Sequence, residues 1–183
     1  MVVMVAAPDD LHVTMRDRIV AAGAEMTMTT GWSSVTMAKL AESVGVSRQT
    51  VYNEIGTKQA LAEAMVLDEL ARFLEVVNRA FDAHATDLIA AIEAASRAVL
   101  DLAEGNSLLH AIVSATHGAD TELLPLLTTN SESLLATAKM VLRDRVRGLE
   151  TGLQEDQLDV AIDMVVRVVL SHVMQPSDRP EVT

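Results

Sequence analysis

One glycine, Gly45, constrains this chain more than any other residue. It stands between two short stretches whose apolar residues recur at helical spacing, and each stretch opens on a residue suited to cap a helix. Thr36 precedes Met37, Leu40, Ala41 and Val44, and Ser47 precedes Val51. Glycine tolerates the left-handed backbone that stops a helix abruptly, so the pattern predicts two helices folded back across a tight turn. Ala41 is small where the second helix must cross the first, and Val46 is placed to plug the turn. Thr57 is a third cap, opening a long helix with Lys58 in its first turn.

With Val51 facing the core, Arg48, Gln49, Thr50, Tyr52 and Asn53 remain on the outward side of the second helix. Two short helices joined this way are a helix-turn-helix, whose second helix enters the major groove of DNA. Arg and Gln side chains suit that task because they form bidentate bonds to guanine and adenine edges. Lys58 lies within reach of a phosphate. A plain helical hairpin with capped ends would share the caps, but it would not require a turn and an outward polar face at these offsets.

Composition sets the rest of the fold. Hydrophobic residues make up 50% of the 183 and aromatics only 2%, so the core must be built from Ala, Val, Leu, Ile and Met. An aliphatic chain poor in Gly and Pro suits helices, and the expected class is all-α. Without Cys there is neither disulfide nor thiolate chemistry, which fits a reducing, cytoplasmic setting. Residues 1–10 read as an apolar and acidic arm without a basic leader region, and no apolar run of about 18 residues predicts a membrane span.

The net charge of −12 is unusual for a protein that meets DNA, because phosphate neutralisation drives much of that affinity. The charge is unevenly placed. Residues 1–65 carry five basic and seven acidic side chains, whereas residues 66–183 carry nine and nineteen. A near-neutral head on an acidic body would bind through a few placed groups and helix N-termini, doubled by dimerisation.

After Lys58, Val66, Leu70, Phe73, Val77 and Phe81 form a helical stripe to about residue 81. Residues 86–104 predict an Ala-rich helix on which Glu93, Arg97 and Asp101 form a solvent-facing charge ladder rather than a catalytic group. Gly105 and Asn106 break it, and a short apolar helix follows to about Thr116. A second break at 117–120 leads into a long helix from about Glu122 to Leu149. The last helix, about Asp156 to Met174, carries Asp159, Asp163, Arg167 and Ser171 on one line and is otherwise apolar. A helix apolar over most of its circumference must bury more than one face, and a partner subunit can cover the second. Ala161, Val165, Val168, Val169 and His172 are assigned to that interface.

Residues 16–61 resemble the N-terminal domain of tetracycline-repressor-like (TetR) transcriptional regulators. The resemblance rests on Arg16, Ile19-Val20, Ala22, Gly31-Trp32, Thr36, Leu40-Ala41, Gly45-Val46-Ser47, Thr50-Val51-Tyr52, Thr57-Lys58 and Leu61. It implies that Thr36, Ser47, Tyr52 and Lys58 contact phosphates and that residues 48–50 lie nearest the base edges. It implies further that the later helices enclose a small-molecule pocket, and that the last two dimerise as a four-helix bundle. Gln49 stands where a small residue is usual, Glu54 and Ile55 replace a His/Tyr-Phe pair, and Thr27 replaces a phenylalanine. Residues 175–183 read as a non-helical tail where the family pattern places a final helix.

The expected division is an arm (1–10), a helix-turn-helix domain (11–57), a regulatory and dimerisation domain (58–174) and a tail (175–183). Leu109, His110, Ile112, Val113, His117, Leu126, Leu127 and Leu134 are the expected pocket lining. Their aliphatic character suits a hydrophobic effector, fatty acyl or alkane-like. His110 and His117 share a helix face but lack a third ligand at metal spacing, so neither metal nor cofactor is expected. Nucleophile-elbow, P-loop, dinucleotide and zinc-protease motifs are all absent from the sequence, and no enzyme activity is expected. The expected function is a ligand-responsive repressor, acting as a homodimer on a palindromic operator. The alternative is a helical dimeric interaction protein that does not bind DNA.

Overall fold

Thr14 starts the first helix by exchanging hydrogen bonds with Asp17. The Asp17 N–H donates to Thr14 Oγ1 at 3.1 Å, and the Thr14 N–H donates to the carboxylate at 2.9 Å. This reciprocal cap satisfies two donors that a helix start would otherwise leave open. The Thr14 hydroxyl, and after it the backbone, holds the Asp17 carboxyl below its ordinary pKa. In this computed structural model, residues 13–117, 131–147, 149 and 151–174 are described. The expected arm and tail lie outside them.

Helix α1 spans Met15–Thr30 and a single 3-10 turn spans Trp32–Ser34. Then come α2, Met37–Val44, α3, Arg48–Ile55, and α4, Lys58–Ala83. At 1.5 Å rise per residue, the 26 residues of α4 reach about 39 Å. α5 is Leu88–Glu104, α6 Ser107–His117, α7 Ser131–Val146 and α8 Glu155–Met174. The helix expected to reach Leu149 stops at Val146, and its expected start before residue 131 lies outside the described residues.

Among the described residues, two cores are strung along α4. The first gathers Ile19 and Val20 of α1, Trp32, Val35, Leu40, Ala41, Val51, Ile55 and the α4 residues Leu61, Ala62 and Met65. It also takes in Leu108 and Ile112 from α6. The second is built on Val77 and Phe81 of α4, with Val146 and Val173 closing it from α7 and α8. Here α5 contributes Ala91, Ala95, Val99 and Ala103, a line of small side chains at four-residue spacing. Small residues let helix axes approach closely, and α4 with α5 is the most extensive helix pairing among the described residues.

Polar contacts tie the outer helices on. Arg145 of α7 donates to Asn78 Oδ1 at 2.7 Å and pairs with Asp82, both on α4. Lys139 pairs with Asp163 and Arg143 with Asp159, joining α7 to α8. Lys139, and after it Arg167, holds the Asp163 carboxyl below its ordinary pKa. Half of the polar line read on the last helix therefore faces a neighbouring helix. The Glu93–Arg97 rung on α5 is an exposed ion pair at 2.9 Å. Among the described residues no helix is long and apolar enough to cross a membrane.

Candidate nucleic-acid interface and apolar cavity

Gly45 adopts φ 77°, ψ 36°, the left-handed conformation expected of it. Behind it the Val46 N–H donates to the Ala41 carbonyl at 2.9 Å and the Gly45 N–H to that of Glu42 at 3.3 Å. These paired bonds satisfy carbonyls at the end of α2 and fix the turn into α3. An added Cβ at Gly45 would meet nothing within 4 Å, so only backbone conformation resists a substitution. Gly45→Ala is expected to cost about 1 kcal/mol by urea denaturation. A neutral result would mean that the turn relaxes freely.

Arginines of α1 set the angle of the hairpin. Arg16 donates to the Glu54 carbonyl at 3.0 Å and Arg18 to the Val44 carbonyl at 3.0 Å, so each binds the C-terminal end of one of the two short helices. A cation there also complements the helix dipole. Val51 and Ile55 anchor α3 in the core, fully and 94% buried respectively. Ile55 is thus a packing residue, not a departure on the DNA-facing side. Thr27, at the position where the family pattern has a phenylalanine, is buried with its hydroxyl donating to the Gly23 carbonyl at 2.7 Å.

The residues expected at DNA lie on this frame as follows. Ser47 Oγ accepts the Thr50 N–H at 3.0 Å, and Thr36 Oγ1 accepts the Lys39 N–H at 3.2 Å. The Thr36 hydroxyl, its oxygen used as a cap, keeps a proton to donate, while the Ser47 hydroxyl shares a hydrogen bond with that of Thr50 at 2.9 Å. Arg48, Gln49, Tyr52 and Asn53 are exposed, and Thr50 is half-buried. Gln49 Nε2 donates to Asn53 Oδ1 at 2.9 Å, so these two amides present one joined polar surface. Lys58 is half-buried, with its ammonium 4.7 Å from the centroid of the Trp32 ring. That cation–π contact fixes the start of α4 against the head core.

A cavity of about 190 Å³ lies in the body. Its walls include Val66, Leu70, Phe73 and Val77 of α4, Ile92 and Val99 of α5, and Leu109 and Ile112 of α6. α7 adds Leu134 and Leu142, and α8 adds Val165, Val166, Val169 and Val173. Of the expected lining, Leu109, Ile112 and Leu134 meet here. His110 does not: it is exposed, because Leu108, Leu109 and Ile112 take the inward positions of α6. Val113 is half-buried and away from the cavity wall. Leu126 and Leu127, and the side chain of His117, lie outside the described residues.

The face assigned to a partner subunit needs the same correction. Val165 and Val169 turn inward to the cavity, since helical periodicity places them with Val166 and Val173. Ala161 is half-buried, and Val168 and His172 are exposed. The outward apolar line is Val160, Met164 and Val168, which are 55–61% exposed.

One polar pair at the cavity escaped the sequence reading. Glu69 of α4 lines it and is only 7% exposed. Asn106 Nδ2 donates to its carboxylate, while Asn106 Oδ1 accepts the Leu109 N–H at 2.8 Å and so caps α6. The signal was a carboxylate set between Val66 and Phe73, on the apolar face of a helix, three residues after one and four before the other.

A three-helix head with a capped turn, a long connecting helix and a hollow helical body make a specific combination. Residues 19–65 match the bacterial regulatory proteins of the tetR family, and residues 87–183 match the bacterial tetracyclin repressor C-terminal domain. The chain belongs to the TetR family. This TetR-family chain is 27% identical over 164 residues to the HTH-type transcriptional regulator AlkX of Mycobacterium tuberculosis, covering 90% of this chain and 77% of that one. It matches the crystal structure of the TetR family repressor AlkX from a Dietzia species, implicated in biodegradation of n-alkanes, with a TM-score of 0.71. There the identity is 25%, over 91% of this chain and 87% of that chain. A TetR-family regulator from Pectobacterium atrosepticum shares the fold at a TM-score of 0.60 and 16% identity, over 87% of this chain and 79% of that one. The TetR-family chain is accordingly a helix-turn-helix transcriptional regulator, and the reading without DNA binding gives way. Both matched families are regulatory.

Proposed function

We propose that the chain is a cytoplasmic repressor that binds a palindromic operator as a homodimer and leaves it when a hydrophobic effector fills the body cavity. The observation that carries this reading is the exposed polar side of α3 behind the fixed Gly45 turn. Residues 11–57 form the DNA-binding unit, and residues 58–174 the regulatory and dimerisation unit. Thr36, Ser47, Tyr52 and Lys58 take phosphates, while Arg48, Gln49, Thr50 and Asn53 lie at the base edges. Val160, Met164 and Val168, with Ala161 and His172 beside them, meet the partner subunit.

The mechanism is a population shift. An effector that binds one head spacing better than another changes operator affinity by that difference and no more. A dimer matched to DNA holds its two heads roughly 34–36 Å apart, one turn of the duplex. The aliphatic walls, and a Dietzia relative implicated in n-alkane biodegradation, support an aliphatic effector.

The test is fluorescence anisotropy on a palindromic site selected from random DNA. Tyr52→Ala is expected to weaken binding about equally across sequences, while Gln49→Ala changes base preference. Equal behaviour of the two variants would overturn the division into phosphate and base contacts. Absence of salt-dependent specific binding at every selected site would overturn the operator reading.

A further inference from the structure

The body cavity holds a buried acid and, among the described residues, no base to match it. Glu69 is 93% buried on the cavity wall, and Asn106 is its hydrogen-bond partner among the described residues. Asn106 Nδ2 engages Oε1, which leaves Oε2 with acceptor capacity. The other walls are almost wholly apolar, with Ser96 adding one hydroxyl.

Among the described residues, the arginines of α4 and α5 and the Lys and Arg side chains of α7 and α8 are engaged in ion pairs. Arg72, Arg79 and Arg97 lie on the outer sides of α4 and α5, paired with Asp68, Glu75 and Glu93, and each is at least 65% exposed. Lys139, Arg143, Arg145 and Arg167 are engaged with Asp163, Asp159, Asp82 and, for Arg167, again Asp163. Residues 118–130, which join α6 to α7, contain no Lys or Arg in their sequence.

We propose that Glu69, held by Asn106, is the head-group acceptor of this cavity, and that its ligand is an aliphatic primary alcohol rather than a fatty-acid anion. The proposal rests on the reading of the cavity as the effector site. A hydroxyl donates its proton to the open carboxylate oxygen while the alkyl chain lies along Leu70, Phe73 and Val99. A carboxylate would have to lose its water beside a second carboxylate without a counter-charge, which burial penalises heavily. A plain alkane gains the aliphatic contacts but leaves the Glu69 oxygen unanswered. The cavity, about 190 Å³, modestly exceeds the ~150 Å³ that takes benzene, so a medium chain is the appropriate probe.

The experiment is calorimetric titration of the full chain with 1-octanol, octanoate and n-octane at pH 8. Octanol is expected to bind at least tenfold more tightly than octanoate and more tightly than octane. Glu69→Gln, checked for folding by circular dichroism, is expected to bring octanoate to within threefold of octanol by replacing the carboxyl with a neutral amide. Octanoate equal to or tighter than octanol in the unaltered chain would overturn the head-group assignment, as would a Glu69→Gln variant that keeps the full discrimination. Both results leave the cavity as the effector site. If none of the three ligands binds while operator DNA still does, the effector reading of the cavity fails with it.

Discussion

A chain carrying Met164→Glu together with Val168→Glu is expected to run as a monomer and to lose operator affinity by roughly 10²–10⁴-fold. Met164 and Val168 are 61% and 55% exposed and one helical turn apart on α8. A two-fold interface brings each residue of such a patch near its counterpart in the second copy. Two glutamates per chain would then place four like charges in a desolvated strip. Each head alone is close to neutral in charge, so operator affinity is expected to depend on two heads binding together. Sedimentation equilibrium and anisotropy on one palindrome read the two effects together. The fold itself is expected to survive, since neither side chain is buried within one chain. Val165→Glu is the contrasting variant: it introduces its charge at the cavity wall and is expected to destabilise the body. A double variant that stayed dimeric with unchanged DNA affinity would move the interface off this stripe.

Leu61→Ala is expected to have the largest effect on stability, about 3–4 kcal/mol, a large share of the ~5–15 kcal/mol that holds a typical domain folded. Leu61 is fully buried where α4 crosses α1. A Cβ built at Gly23 would sit 3.0 and 3.1 Å from its two Cδ atoms, so the two positions share one pocket. In the unaltered chain Gly23→Ala sets a helix-propensity gain of about 1 kcal/mol against this crowding. With Leu61 already cut back, the same methyl enters the space left behind, and the gain is expected in full. Urea denaturation of the two single variants and the double should therefore show coupling of about 1 kcal/mol or more. Simple additivity would mean that Leu61 does not confine position 23.

The sequence made the head legible because its signals are local. Thr36, Gly45, Ser47 and Thr57 each act on a helix end through atoms two to four residues away, and all four do so in the structure. Element order in the body was legible for a similar reason, as runs of aliphatic residues at helical spacing. Which side of α8 faces which neighbour was not. Val165 and Val168 are alike as residues, and only the positions of α5 and α7 decide that the first lies at the cavity and the second in the open. His110 was misplaced because residue type suggested a pocket, while its helical phase points away from it. Glu69 went unread although its phase was informative, since its partner Asn106 is 37 residues away.

The placement of α6 has a consequence for how such a protein can change over time. Leu108 and Ile112 complete the core of the head, while Leu109 and Ile112 also form a wall of the cavity. A head grafted from a relative onto this body would meet two side chains shaped for a different occupant, and a new cavity lining at α6 would disturb the head. The helix-turn-helix head and the hollow body are therefore not interchangeable cassettes. A lineage acquiring a new effector through this helix must accommodate the change at both ends at once.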